Sequence, residues 1–218
     1  MLSTRLLTHR YVAAPNPGTR ERVILVLHGL GDSLNGFSFL PQALNLPGFS
    51  YLMVNAPDDY YGGFSWYDFG GQNRALSNPG ILRSRALLLQ VIEELKGQGL
   101  AASDIHLFGF SQGCLMAVDV GLRCPEVLGG ICGVSGYVGF PEEYPEKLSA
   151  AARQQKFLIT HGVRDPMVPF GPAAEQFAEL QKLGVPLEFK IYDKDHTILP
   201  EELADIREWF ARLDENEE

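Results

Sequence analysis

Short, nearly unbroken apolar runs alternate along this chain with longer stretches in which apolar residues recur every three or four positions. Val23–Leu27, Tyr51–Val54, Ile105–Phe108, Gly130–Val134 and Phe157–Thr160 are runs of the first kind, and Leu187–Tyr192, which alternates, is a sixth strand candidate. A strand covered on one face alternates apolar and polar residues, whereas an unbroken run fits a strand buried on both faces of a parallel sheet. The second kind of spacing predicts helices over Pro79–Lys96, Gln112–Arg123, Pro172–Leu183 and Glu201–Leu213. In the first of these, Asn78 is a candidate cap ahead of Pro79, and Leu82, Ala86, Leu89 and Ile92 form the apolar face. The second stops before Pro125, and the third ends at Gly184. Strands alternating with helices specify an α/β fold: an open, mostly parallel sheet with helices on both faces and right-handed crossovers.

The interval from Val134 to Phe157 is too short for a large cap domain, and the chain carries no internal repeat, low-complexity segment or linker. Residues 1–218 therefore read as one domain, with the acidic stretch 214–218 expected to be a frayed tail. Asp58–Asn73, rich in glycine and aromatic residues, reads as an irregular loop. It follows a strand, on the side of an α/β sheet where ligands bind.

Charge and cysteine content narrow the function classes. A formal charge of −9 argues against a nucleic-acid surface, which needs clustered lysine and arginine. Cys114, Cys124 and Cys132 form no C-x-x-C pair and leave an odd one over, which fits a reducing compartment and a cytoplasmic protein. The first residues lack the apolar segment of a secretory signal, and no run approaches the length of a membrane span.

Candidate chemistry centres on Gly109-Phe110-Ser111-Gln112-Gly113, which lies between a predicted strand and a predicted helix. A G-x-S-x-G in that context is the sequence form of a nucleophile elbow, with the serine exposed on a strained turn. A glycine-rich turn with an ordinary capping serine is the plainer reading. A serine hydroxyl needs a base to take its proton. Of the five histidines, only His161 and His196 follow Ser111, and only His196 leaves room for an intervening acid. Asp165, stiffened by Pro166, is the expected acid in preference to Asp193 and Asp195, which are too close to the histidine along the chain, and an ordinary Asx-Pro turn is its plainer reading. Oxyanion donors are expected from the N–H of Gln112, at the positive end of a helix, and of Leu30, in the loop Leu27-His28-Gly29-Leu30-Gly31-Asp32-Ser33. That loop lacks the Lys-Ser/Thr of a phosphate loop.

Assembled in this order, the chain resembles the acyl-protein thioesterase/carboxylesterase family of small α/β-hydrolases, also grouped as phospholipase/carboxylesterase. The resemblance runs from about Val23 to Phe210 and rests on several separate motifs. They are the Leu27–Asp32 loop, Ser65-Trp66-Tyr67-Asp68, the Gly109–Gly113 elbow, Val134-Ser135-Gly136-Tyr137, and the acid loop from His161-Gly162 to Pro169. It implies an α/β-hydrolase fold and a triad of Ser111, Asp165 and His196, with Leu30 and Gln112 supplying the oxyanion donors. It also implies cleavage of carboxylic esters or acyl thioesters through an acyl-enzyme, without metal or cofactor, on small esters or on acylated proteins. Two positions depart from the family pattern: Cys114 stands where it usually has a second glycine, and Asp195 where it has glycine before the histidine.

Loop placement makes Phe64, Trp66, Leu34, Met167, Val168 and Phe140 candidate walls of an apolar acyl site. An apolar site without a lid fits a homodimer as well as a monomer. The rival reading is a non-catalytic binding protein on the same fold, since a fold alone does not specify chemistry. A dienelactone-hydrolase-like enzyme would want cysteine at position 111.

Overall fold

A computed structural model describes residues 1–69, 74–144 and 146–215. In chain order the elements are β1 (His9–Val12), β2 (Arg22–Leu27), α1 (Leu40–Leu44), β3 (Phe49–Val54), β4 (Asp58–Tyr60), β5 (Gly63–Ser65) and α2 (Arg74–Gly97). They continue with β6 (Ile105–Phe110), α3 (Gln112–Arg123), β7 (Gly130–Val134), β8 (Phe157–Gly162), α4 (Phe170–Lys182), β9 (Leu187–Tyr192) and α5 (Pro200–Glu215). Seven strands form one sheet in the order β1-β3-β2-β6-β7-β8-β9, and only the edge strand β1 runs antiparallel to its neighbour.

The unbroken apolar runs are explained by cover on both faces. Along β2, Val23, Leu25 and Leu27 pack into the core under α2 and α3, while Ile24 and Val26 point into a second core with α1 and α5. Strand side chains alternate between faces, so burying both requires every position to be apolar. The chain leaves β2 toward β3 on one side and returns to β6 on the other, which opens a crevice at the carboxyl ends of β2 and β6. Leu27 pairs with Gly109 across that junction, so the loops after the two strands begin side by side.

Three expectations about elements need correction, and one about a helix face: Leu82 and Ala86 of the predicted apolar face are exposed, while Ile81, Leu88, Val91 and Leu95 are buried with Ile92. The first long helix starts at Arg74 rather than Pro79, and the proline lies inside it. A proline inside a helix removes one backbone bond and crowds the carbonyl four residues earlier, a local cost that α2 bears; farther along, Ser84 Oγ donates to the Trp66 carbonyl and anchors the helix to the loop before it. The predicted irregular loop Asp58–Asn73 contains a two-stranded hairpin, β4 with β5, in the register Asp58↔Ser65 and Tyr60↔Gly63. Its residues 70–73 lie outside the described residues, as do positions 216–218 of the predicted acidic tail; Asp214 and Glu215 belong to α5. The third correction is small: α4 begins at Phe170, which places Pro172 in the first turn, where its missing N–H leaves no bond unmade. Among the described residues, no helix is long and apolar enough to cross a membrane.

Candidate active site

Ser111 sits between β6 and α3 with φ +54° and ψ −115°, a backbone state costing a non-glycine residue on the order of 1–3 kcal/mol. The turn is possible because its flanks lack side chains. A Cβ on Gly109 would fall 2.1 Å from the Gly113 carbonyl oxygen, and one on Gly113 would fall 2.1 Å from that of Leu27. The first turn of α3 is thus pressed onto the end of β2, and the Ser111 N–H is held by the Val134 carbonyl at 2.9 Å.

His196, in the loop between β9 and α5, approaches Ser111 Oγ through Nε2 at 2.9 Å and Asp165 Oδ2 through Nδ1 at 2.7 Å. The three predicted residues, one from each of the loops after β6, β8 and β9, therefore stand in a single hydrogen-bonded line. An ionised Asp165 accepts from Nδ1–H and leaves Nε2 as the acceptor toward the serine. Asp165 is fixed by its other oxygen, which accepts the N–H groups of Met167 at 2.9 Å and Val168 at 2.8 Å. Burial pushes its carboxyl group up. The Val168 N–H, the His196 ring and the Met167 N–H outweigh that, so its pKa lies below the ordinary aspartate value. The competing Asp193 is engaged by Arg164 at 3.0 Å, and Asp195 is exposed.

The expected oxyanion donors lie beside Ser111. A Cβ on Gly29 would fall 3.3 Å from Ser111 Cβ, so the Leu30 loop runs directly against the elbow. Among the described residues, neither the Leu30 N–H nor the Gln112 N–H has a protein acceptor. The Gln112 side chain turns away from the site: its Oε1 accepts the Trp66 N–H at 3.0 Å, and its Nε2 donates to the Tyr67 carbonyl at 2.9 Å. The β4–β5 hairpin braces the loop from the other side, with the Gly31 N–H donated to Phe64 O and the Phe64 N–H to Asp32 O, both at 2.9 Å.

The six acyl-wall candidates divide. Met167 is exposed, and Phe64 and Val168 keep partial exposure. Trp66 is wholly buried and donates its indole N–H to the His28 carbonyl at 2.9 Å, so it supports the Leu30 loop from beneath. Leu34 is packed in the α1/α5 core with its N–H on Asn55 Oδ1, and Phe140 is buried under the Arg85 guanidinium. Those three residues sit after strands, as wall residues would, but the hairpin and the helices cover them. Two surface clefts, one floored by Phe49 and Tyr51 and the other by Phe157 and Trp209, include none of the site residues in their walls.

Supporting contacts that the sequence did not announce also emerge. His28 donates from Nδ1 to Gly29 O at 2.7 Å and accepts the Ala56 N–H on Nε2 at 3.0 Å, which defines a neutral tautomer. Burial lowers its pKa, against the Gly29 carbonyl and Asp32, which raise it. His161 Nε2 donates to the Val168 carbonyl at 2.9 Å and so clamps the acid loop. Both follow the same signal, a His-Gly pair ending a strand. The Phe110 ring packs 5.0 Å from that of His196, a contact that no local pattern announces. Cys114, behind Ser111, is wholly buried, and burial pushes its thiol up to about 12, so it fills space rather than offering a reactive thiolate.

Known proteins match this chain over most of its length. Residues 8–213 match the family model described as Phospholipase/Carboxylesterase. An acyl-protein thioesterase 1 of Schizosaccharomyces pombe is 35% identical over 67% of this chain and 69% of its own. A protein of the same name from Yarrowia lipolytica is 29% identical over 94% of this chain and 96% of its own. The crystal structure of esterase PE8 superposes with a TM-score of 0.86 at 26% identity, covering 95% of this chain and 99% of that one. An elbow serine at the switch point of a parallel sheet and a match spanning nearly the whole chain lead to one assignment: this protein belongs to the phospholipase/carboxylesterase family of α/β-hydrolases.

Proposed function

We propose that Ser111, His196 and Asp165 carry out two-step acyl transfer, with the N–H groups of Leu30 and Gln112 holding the oxyanion. The Ser111 proton passes to His196 Nε2 as Oγ bonds to the acyl carbon, and the carbonyl oxygen takes the negative charge. Collapse of that intermediate breaks the bond to the leaving oxygen or sulfur, which receives the proton from His196. Water then repeats the sequence on the acyl-enzyme and releases the carboxylic acid. The observation that carries this reading is the double contact of His196, 2.9 Å to Ser111 Oγ and 2.7 Å to Asp165 Oδ2.

The substrate class we assign is a carboxylic ester or an acyl thioester with an apolar acyl group. Met167, Val168 and Phe64 support it, since each keeps apolar surface beside or opposite the acid and oxyanion loops. The names of the fungal relatives support S-acylated proteins among the substrates. Three free, buried cysteines support a reducing, cytoplasmic setting. A fluorophosphonate probe tests the reading: a covalent adduct on Ser111, lost in Ser111→Ala, is the expected result. A folded protein with no adduct would point instead to a ligand-binding member of the fold.

A further inference from the structure

Lys194 is 1% exposed, and all of its ammonium donors are used. Nζ reaches the two carboxylate oxygens of Glu202 at 2.6 and 2.7 Å, the Thr197 carbonyl at 2.7 Å and Ser135 Oγ at 3.1 Å. The side chains of both members of this ion pair are wholly buried. Such a pair is a poor explanation of stability, because well-packed neutral replacements are commonly as stable or more so. Its position in the chain suggests another role.

Lys194 lies two residues before His196 and Thr197 one residue after, so the bond from Nζ to Thr197 O closes the loop around the histidine. The Thr197 N–H returns to the Asp195 carbonyl at 2.9 Å, tightening the same turn. Glu202 also accepts the Leu199 N–H at 3.1 Å, which ties the turn to the start of α5. Ser135 follows Val134, whose carbonyl holds the Ser111 N–H at 2.9 Å. The Lys194 carbonyl accepts the N–H of Arg164, next to Asp165, at 3.1 Å. One buried residue thus touches the segments that adjoin Ser111, Asp165 and His196.

We propose that Lys194, paired with Glu202, is a positioning residue that holds the His196 ring between Ser111 and Asp165. The inference rests on the triad reading above. Without the ammonium group the turn loses its closing bond and the imidazole is free to drift. A displacement near 1 Å in a reacting group costs roughly 10- to 100-fold in kcat. Lys194 meets no substrate, so KM on a short ester stays in place.

Lys194→Met alone strands the buried Glu202 carboxylate, so the test uses Lys194→Met/Glu202→Gln, which removes both charges and keeps an acceptor for Leu199. Lys194→Met/Glu202→Met serves if only that pair melts cooperatively. The folded variant is expected to lose roughly 10- to 100-fold in kcat on p-nitrophenyl acetate, with KM changed by less than about twofold. Labelling of Ser111 by a fluorophosphonate should slow in proportion. A cooperatively folded variant with kcat within about threefold of the parent overturns the proposal. Ser111→Ala, assayed alongside, separates the two readings. Activity in Ser111→Ala overturns the triad itself, whereas an inactive Ser111→Ala beside a fully active double variant overturns only the role of Lys194.

Discussion

Trp66 donates its indole N–H to the carbonyl oxygen of His28 at 2.9 Å, one residue before Gly29 and two before the expected oxyanion donor Leu30. A residue whose position in the chain suggested a pocket wall is wholly buried and bonded to the loop that carries Leu30. Trp66→Phe keeps most of the packing and removes the bond. A neutral hydrogen bond is worth about 0.5–1.5 kcal/mol, so kcat should fall roughly 3- to 10-fold. KM on a short ester should hold, because Trp66 has no exposed surface to offer a substrate. Steady-state kinetics decide the matter: a raised KM with unchanged kcat would restore Trp66 to the pocket wall.

Asp165→Asn is expected to be severe for a geometric reason. Oδ1 is held by two backbone N–H groups, so the amide oxygen will take that place and the NH2 will face His196 Nδ1. That arrangement puts the ring proton on Nε2, the wrong nitrogen for a base. In another serine hydrolase the same substitution cost about 10⁴ in kcat, and a similar loss is expected here. A melting curve close to that of the parent would show that the loss is chemical.

Leu34→Ala and Met167→Ala should separate packing from binding. Leu34 is buried in the α1/α5 core, and its truncation should cost about 2–4 kcal/mol of stability without changing acyl-chain preference. Met167 is 64% exposed, and its truncation should leave stability nearly unchanged. It should instead lower kcat/KM on octanoyl relative to acetyl esters by roughly 3- to 10-fold. Equal effects on all chain lengths would remove Met167 from the acyl site.

His106 predicts an acid-sensitive fold. The ring lies 5.0 Å from that of Phe49 and 5.8 Å from that of Phe210, and among the described residues neither nitrogen has a partner. Burial, together with Arg22, Lys156 and Arg20, lowers its pKa to about 3. The unfolded chain therefore takes up a proton near pH 6.5 that the folded chain refuses until about pH 3. Stability is present above the unfolded value and declines as pH falls through this window, by about 2 kcal/mol at pH 5. His106→Leu should flatten the fall in Tm between pH 7 and pH 5 by about 4–8 °C. An unchanged slope would assign the acid limb to other groups.

Five strands of the central sheet were legible because a strand covered on both faces must be apolar at every position, as Val23 to Leu27 are, whereas the four-residue edge strand β1 was not among the candidates. The candidate triad was legible because the elbow needs glycine at 109 and 113, and because an acid and a histidine each follow a strand in the required order. The β4–β5 hairpin was not. Its strands are three residues each, and their pairing is supported from outside, by Gly31 and Asp32. Likewise, Pro79 was a sound helix start locally, yet α2 begins five residues earlier, at Arg74. The Lys194–Glu202 pair lay beyond a sequence reading for a similar reason: both residues look like surface charges until the turn around His196 closes over them.

The most direct test of the account is the turnover of a p-nitrophenyl ester by purified Ser111→Ala beside the parent protein, with both shown to be folded by thermal melting. Removing the nucleophile should lower kcat by roughly 10⁵–10⁶-fold and abolish fluorophosphonate labelling. A folded Ser111→Ala with activity near that of the parent would contradict it.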